Sequence, residues 1–291
     1  MRRGAEQAVL SGVIETQGGE QREISLRISA NDRRASVIAN SIETLAPLNA
    51  ALTHPHRSYF VAGYGGSRRL NIGGLARGKG ESEHPRARSI ATLFNRDADL
   101  YPIEAWAMTL DYRRDEGIDT VGRVLSDFLP EMSFSHINKE SEELMFETPD
   151  GLVPLRQLSD GYQNIAAWVG DLLYNITETF EDYNDPLSAR GLLIIDEVAL
   201  HLHPKWQRRL LDFLDDRFKK MQLIVTTHSP TMAQQAAEGA LHYLMRDEQG
   251  LHIHPFEGDP GKLLVHQLLN TEAFGHASDE SLQVETLKGR Y

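Results

Sequence analysis

Two stretches of this sequence place acid, imidazole and hydroxyl groups directly after runs of apolar residues. In Leu192–Glu197 (LLIIDE) four aliphatic residues are followed by Asp196 and Glu197. In residues 222–230 (QLIVTTHSP) the apolar run is followed by Thr226, Thr227, His228 and Ser229. Short apolar runs of this kind read as buried strands, and in open α/β sheets ligands bind outside the carboxyl ends of the strands. Adjacent carboxylates at such an edge can divide labour: Asp196 can orient a hydrated Mg2+ and Glu197 can polarise an attacking water. His228, on the same edge, can hydrogen-bond a γ-phosphate or that water. Plainer explanations exist for each. Asp-Glu is a common solvated strand end, and Ser229 ahead of Pro230 caps a helix whether or not His228 has a task.

A third stretch, 158–176 (LSDGYQNIAAWVGDLLYNI), opens a helix. Leu155, Leu158, Ile165, Val169 and Leu172 give it an apolar face, and Ser159 stands at the N-cap position. A capped helix start is an anion site, and Gly161 in the first turn lets something approach the backbone closely. An ordinary capped amphipathic helix accounts for everything here except Gly161.

The elements that must position these groups follow from patterning. Strand, helix, strand and helix alternate from 191 to 238, which implies a parallel sheet with helices on its faces. Residues 8–65 form a β-rich flank, with strand candidates in AVLSGVIET, EISLRIS, RASVIA and SYFVAGYGG. Residues 66–130 read as a loop and helical insertion. The loop, 66–90, is rich in glycine and charge, and two short helices over 102–129 are marked by Ile103, Trp106, Ala107 and Leu110, then Val121, Val124, Leu125 and Phe128. Residues 131–260 carry the motifs above, with a hairpin expected over 132–155 and another around the Gln-Gly turn in 241–256. A partly helical tail occupies 261–291. The whole reads as one composite α/β domain with an N-terminal β-meander.

Bulk properties bound the function. The 291 residues can bury a sizeable core, and the absence of cysteine excludes disulfides and thiolate metal sites. No run of 18 apolar residues could span a membrane, and the N-terminus has no apolar signal core, so a cytoplasmic location is the default expectation. The formal net charge of −12 does not indicate nucleic acid as a partner. Lys205–Arg209 (KWQRR) could touch phosphates locally, but it reads better as a solvated helix face with Trp206 and Leu210 inward.

These pieces, in this order, resemble the ABC-class ATPases, which include the SMC and DNA-repair ATPases. Leu158–Gln163 (LSDGYQ) looks like the ABC signature, Leu192–Glu197 like Walker B with its catalytic glutamate, Val198–Pro204 (VALHLHP) like the D-loop, and Thr226–Pro230 like the switch-histidine segment. The fuller string is most similar to AAA ATPases related to the overcoming-lysogenisation-defect (OLD) proteins, many of which act in defence against phage. Val61–Leu70 (VAGYGGSRRL) and Leu93–Leu100 (LFNRDADL) also resemble that family's middle segments. The resemblance implies a P-loop NTPase-like α/β fold, ATP and Mg2+ as ligands, and a composite site between two copies of the chain. Ser159 and Gly161 would face the γ-phosphate in trans, with Gln163 counted among the nucleotide-binding residues. Asp196 would hold Mg2+, Glu197 would act as general base and His228 as sensor. His201 and His203 would lie at the dimer contact, and an effector protein or nuclease would be the further partner.

One part of the family pattern is missing. Its phosphate-cradling loop, G-x-x-x-x-G-K-[ST], has one imitation here, GGLARGKG at 73–80. There Gly80 replaces the hydroxyl residue that should hold Mg2+. Glu81, Glu83 and Pro85 follow, where acids repel a triphosphate and no helix dipole helps. The expectation is an ATPase incomplete at its N-terminus, whether truncated, split or degenerate. Two other readings stay open. One is a non-catalytic interaction module that kept the fold. The other is a metal-dependent hydrolase using His201 and His203, which share a face if the segment is extended; Pro204 at a helix start favours the D-loop instead.

Overall fold

The computed structural model describes residues 6–15, 19, 21–29, 36–37, 60–68, 85–113, 117–129, 131–180, 185–248, 250–277, 280, 284 and 286. Two compact units divide the chain, 1–59 and 60–291. In the first, β1 (Gln7–Glu15) and β2 (Gln21–Ser29) pair antiparallel from Gln7↔Ser29 to Glu15↔Gln21, and the short β3 (Ser36–Val37) adds to β2. Of the expected third strand in RASVIA, Ser36 and Val37 are the described residues, and they form β3. Val9 and Val13 share one face of β1 and are mostly exposed.

The second unit opens with β4 (Val61–Tyr64), then α1 (Pro85–Arg88), α2 (Ala91–Phe94), α3 (Ile103–Arg113) and α4 (Gly117–Phe128). The two helices read from the apolar spacing over 102–129 are α3 and α4. The GGLARGKG stretch, 73–80, lies outside the described residues, while at the end of the segment expected as a loop over 66–90 Pro85–Arg88 form α1 instead. Next come β5 (Ser133–Asn138), β6 (Glu143–Thr148) and β7 (Gly151–Pro154), an antiparallel sheet in that order. A simple hairpin was expected here. The Pro149-Asp150 pair makes a second tight turn, pairing Thr148 with Gly151 and splitting the long apolar stretch into two strands.

The functional core follows: α5 (Asp160–Thr179), β8 (Gly191–Ile195), α6 (Pro204–Arg217), β9 (Met221–Val225) and α7 (Pro230–Ala233). It closes with the hairpin β10 (His242–Arg246) and β11 (Leu251–Pro255) and with α8 (Val265–Leu269). As the strand–helix alternation requires, β4, β8 and β9 form a parallel sheet with β8 in the middle, in register from Val61↔Leu192↔Gln222 to Tyr64↔Ile195↔Val225. Ala62, Tyr64, Leu193 and Ile195 stand on one face and are fully buried. Trp168 of α5 lies 5.8 Å from the Tyr64 ring. Phe128 of α4 meets Trp168, Phe213 and Phe218 at 6.2, 4.9 and 5.8 Å. Edge-to-face and tilted rings at these spacings add to the area they bury, and they fix α4, α5 and α6 against one another. At Gly170 a Cβ would sit 2.3 Å from the Ile103 Cβ, so α3 and α5 cross with room for a hydrogen only.

A polar group is held inside this core. The Asp171 carboxyl of α5 accepts hydrogen bonds from Tyr64 Oη (2.9 Å), the Tyr101 N–H (2.8 Å) and Asn175 Nδ2 (2.8 Å). Burial pushes the carboxyl up to about 6 against the pull of those three donors, and it raises the Tyr64 hydroxyl well above its ordinary range. Among the described residues no helix is long and apolar enough to cross a membrane.

Candidate functional site

The parallel ladder runs one residue past the ends of β8 and β9. The Asp196 N–H donates to the Tyr64 carbonyl at 2.7 Å, and the Thr226 N–H to the Ile195 carbonyl at 3.0 Å. That extension brings Asp196, Glu197 and residues 226–228 together at the carboxyl edge of the sheet. Thr226 ties them: its hydroxyl donates to Asp196 Oδ1 at 2.5 Å and accepts the Glu197 N–H at 2.9 Å, and its carbonyl accepts the Val198 N–H at 3.0 Å. Glu197 Oε1 lies 3.0 Å from His228 Nε2. The imidazole is 93% exposed and the glutamate side chain 31%, so the pair faces solvent at the rim. The spacing-based expectation that His228 stands on the same edge as Glu197 matches this geometry.

The chain turns sharply after β8. Glu197 and His201 both adopt left-handed backbone, with φ of 52° and 63°, and the Leu200 N–H closes onto the Glu197 carbonyl at 3.0 Å. Non-glycine residues seldom hold this conformation without help from their surroundings. Part of that help is Arg68, which the motif reading passed over. Its Nη2 donates to the Glu197 carbonyl at 2.6 Å, and its own carbonyl accepts Asn164 Nδ2 of α5 at 3.0 Å. The residue is 3% exposed, and its Nε and Nη1 have no hydrogen-bond partner among the described residues. Burial lowers its guanidinium to about 10, opposed by the charges of Asp196 and Glu197. An arginine in SRR after a glycine pair looks like surface in sequence; only its depth marks it.

The start of α5 touches the same turn. Ser159 occupies the N-cap position, but its hydroxyl makes no cap bond to its own helix. A Cβ on Gly161 would lie 2.6 Å from the His201 carbonyl, so the glycine is where the helix start meets the 197–203 turn. The close backbone approach that Gly161 permits is made here by the His201 carbonyl of the same chain. Gln163 folds back, its Nε2 donating to the carbonyls of Leu158 (2.6 Å) and Arg156 (3.0 Å), which fixes the approach to the helix.

His203 caps α6, its Nδ1 accepting the Lys205 N–H at 3.2 Å, while His201 is exposed on the turn. Lys205 pairs with Glu131 at 2.6 Å and holds that carboxyl below its usual range. Ser229 Oγ donates to Gln207 Oε1 at 2.6 Å and accepts the Met232 N–H at 3.3 Å, joining the starts of α6 and α7. Among the described residues no three His, Asp or Glu side chains converge as a transition-metal site needs. Mg2+ asks for less: one or two carboxylates, waters and substrate phosphates. The solvent-facing Asp196, oriented by Thr226, suits that donor set.

A family model described as an AAA domain, with the AbiEii toxin and type IV TA system named in the same description, matches residues 59–232. The chain is 34% identical over 113 residues to the "Retron Ec83 probable ATPase" of Escherichia coli, covering 39% of this chain and 21% of that protein. It is 26% identical over 237 residues to the "Septu protein PtuA" of Bacillus mycoides, covering 80% of this chain and 31% of that one. The match thus spans about a fifth to a third of the length of these relatives. Among solved structures, an SMC head bound to the C-terminal winged-helix domain of ScpA superposes with a TM-score of 0.50 at 15% identity, over 87% of this chain and 74% of that one. The shared fold is that of the P-loop NTPases.

Proposed function

The chain belongs to this AAA-domain family as the ATPase domain of an ABC-class AAA ATPase, and from that premise we propose that it binds and hydrolyses ATP with Mg2+, as an OLD-like member acting in a dimer. The observation that carries the reading is the Glu197–His228 pair at 3.0 Å beside Asp196, on one sheet edge and braced by Thr226. When bound, Mg2+ supplies charge neutralisation on the phosphates. Asp196 holds it there. Glu197 takes the proton of the attacking water, and His228 Nε2 orients that water or the terminal phosphate. Ser159, whose hydroxyl is not used on its own helix, and the backbone at Gly161 face the nucleotide of a second copy, with Gln163 shaping the approach. His201 and His203 line the contact between copies. The setting is cytoplasmic phage defence, with an effector protein or nuclease as further partner.

These 291 residues contain no G-x-x-x-x-G-K-[ST] run, so the phosphate-cradling loop is proposed to come from sequence outside them. The test is to fuse the strand, phosphate loop and helix of a Septu or retron relative to this chain and measure Mg2+-dependent ATP hydrolysis. Turnover that Glu197→Gln removes supports the proposal. No turnover, in a fusion that binds ATP, makes the fold a non-catalytic interaction module instead.

A further inference from the structure

Arg68 stands out because burial of a guanidinium is costly unless its donors are paired, and two of its nitrogens, Nε and Nη1, have no partner among the described residues. Its placement offers a reason. The residue follows β4, and it is gripped from one side by the signature-like helix, where Asn164 Nδ2 donates to its carbonyl at 3.0 Å. On the other side its Nη2 donates to the Glu197 carbonyl at 2.6 Å. That carbonyl also accepts the Leu200 N–H at 3.0 Å, so one oxygen closes the turn and receives the arginine. Glu197 itself holds φ of 52°.

We propose that Arg68 is a positioning residue that joins α5 to Glu197, holding the left-handed backbone from which the Glu197 carboxylate reaches His228. A displacement of the α5 start, such as nucleotide contact at Ser159 would cause, then moves the Arg68 backbone through Asn164 and is handed on to Glu197. The chain of contacts is continuous: Asn164 to Arg68 to Glu197 to His228. It rests on the proposed hydrolytic role of Glu197 for its consequence, but the linkage itself is a property of the folded chain.

A test of the linkage needs no turnover. Amide hydrogen exchange is followed in peptides covering 196–202, in the full chain and in three variants. Arg68→Met keeps an unbranched apolar stem and removes every donor, Arg68→Lys keeps a single donor nitrogen, and Asn164→Ala cuts the link to α5. The expected result is exchange about tenfold faster at 197–200 in Arg68→Met, partial recovery in Arg68→Lys, and faster exchange at the same turn in Asn164→Ala. Melting temperatures should hold within a few degrees, since the Glu197 carbonyl still accepts the Leu200 N–H when the guanidinium is gone. Should Arg68→Met fail to fold, Asn164→Ala alone decides. Unchanged exchange at 197–200 in the variants that fold, or an effect of Asn164→Ala confined to α5, overturns the proposal. In the fusion that hydrolyses ATP, Arg68→Met should lower kcat with KM held, and an equal loss in both would reduce Arg68 to a structural part. If the fusion does not hydrolyse ATP, the functional reading fails while the exchange data still judge the linkage.

Discussion

The Thr226 hydroxyl bridges the two acids, donating to Asp196 Oδ1 at 2.5 Å while accepting the Glu197 N–H at 2.9 Å. One side chain on β9's continuation therefore orients the Asp196 carboxylate and pins the backbone of Glu197 on β8's. Thr226→Val keeps the shape and removes both bonds. In the hydrolysing fusion the Mg2+ concentration for half-maximal rate should rise several-fold, and stability should drop by about 1 kcal/mol in urea unfolding. An unaltered Mg2+ dependence would mean that Asp196 is oriented by other means or does not hold the ion.

Glu197→Gln preserves volume and removes the base. Hydrolysis should fall by roughly 10²–10⁴-fold, the usual weight of general-base catalysis, while nucleotide affinity stays within a few-fold by calorimetry. Equal rates for Gln and Glu at 197 would refute the assignment.

Asp171 makes stability depend on pH in a direction opposite to that of a salt-bridged acid. Its carboxyl titrates near 6 in the folded chain against an ordinary 3.8. Between those values the folded chain keeps a proton that the unfolded chain has released, so stability falls as pH rises through the window. The gap of about two units corresponds to roughly 3 kcal/mol, fully present above pH 6. Asp171→Asn removes the titration. Urea unfolding at pH 4 and pH 7 should show the variant gaining on the parent by about 2–3 kcal/mol between the two, and a pH-independent difference would place the perturbation elsewhere.

Gly161→Ala puts a methyl 2.6 Å from the His201 carbonyl. Backbone must move at that contact, so a loss of about 1–3 kcal/mol is expected, with faster amide exchange in both the α5 start and the 197–203 turn. A variant as stable as the parent would show that the two segments do not touch in solution.

His203 is a helix cap, with Nδ1 committed to the Lys205 N–H. Replacing His201 and His203 together with Ala should cost about 1 kcal/mol through the lost cap and weaken ATP-dependent dimerisation of the fusion. It should leave elemental analysis unchanged, with no stoichiometric Zn2+ or Mn2+ in either protein. A metal present in the parent and lost in the variant would move the function to metal-dependent hydrolysis.

Local pattern was enough to read the groups at strand ends and helix starts. The apolar runs in LLIIDE and QLIV read as buried strands and both are strands, but β9 leaves Ile224 45% exposed because no helix among the described residues covers that face of it; the polar residues after them sit at the sheet edge, and Pro204 and Pro230 mark helix starts. The order of the motifs carried the fold class, because strand–helix–strand alternation leaves few alternatives to a parallel sheet. Tertiary structure decided what depends on residues far apart in sequence. Arg68 and Glu197 are 129 positions apart and Tyr64 and Asp171 are 107 apart, so no spacing rule reaches either pair. The space beside Gly161 and Gly170 likewise exists only once a second segment arrives to fill it. Periodicity reports which face of an element turns inward; which polar atom it meets there is set by the packing of other elements, and in this chain that packing places an arginine under the acid that the sequence had already singled out.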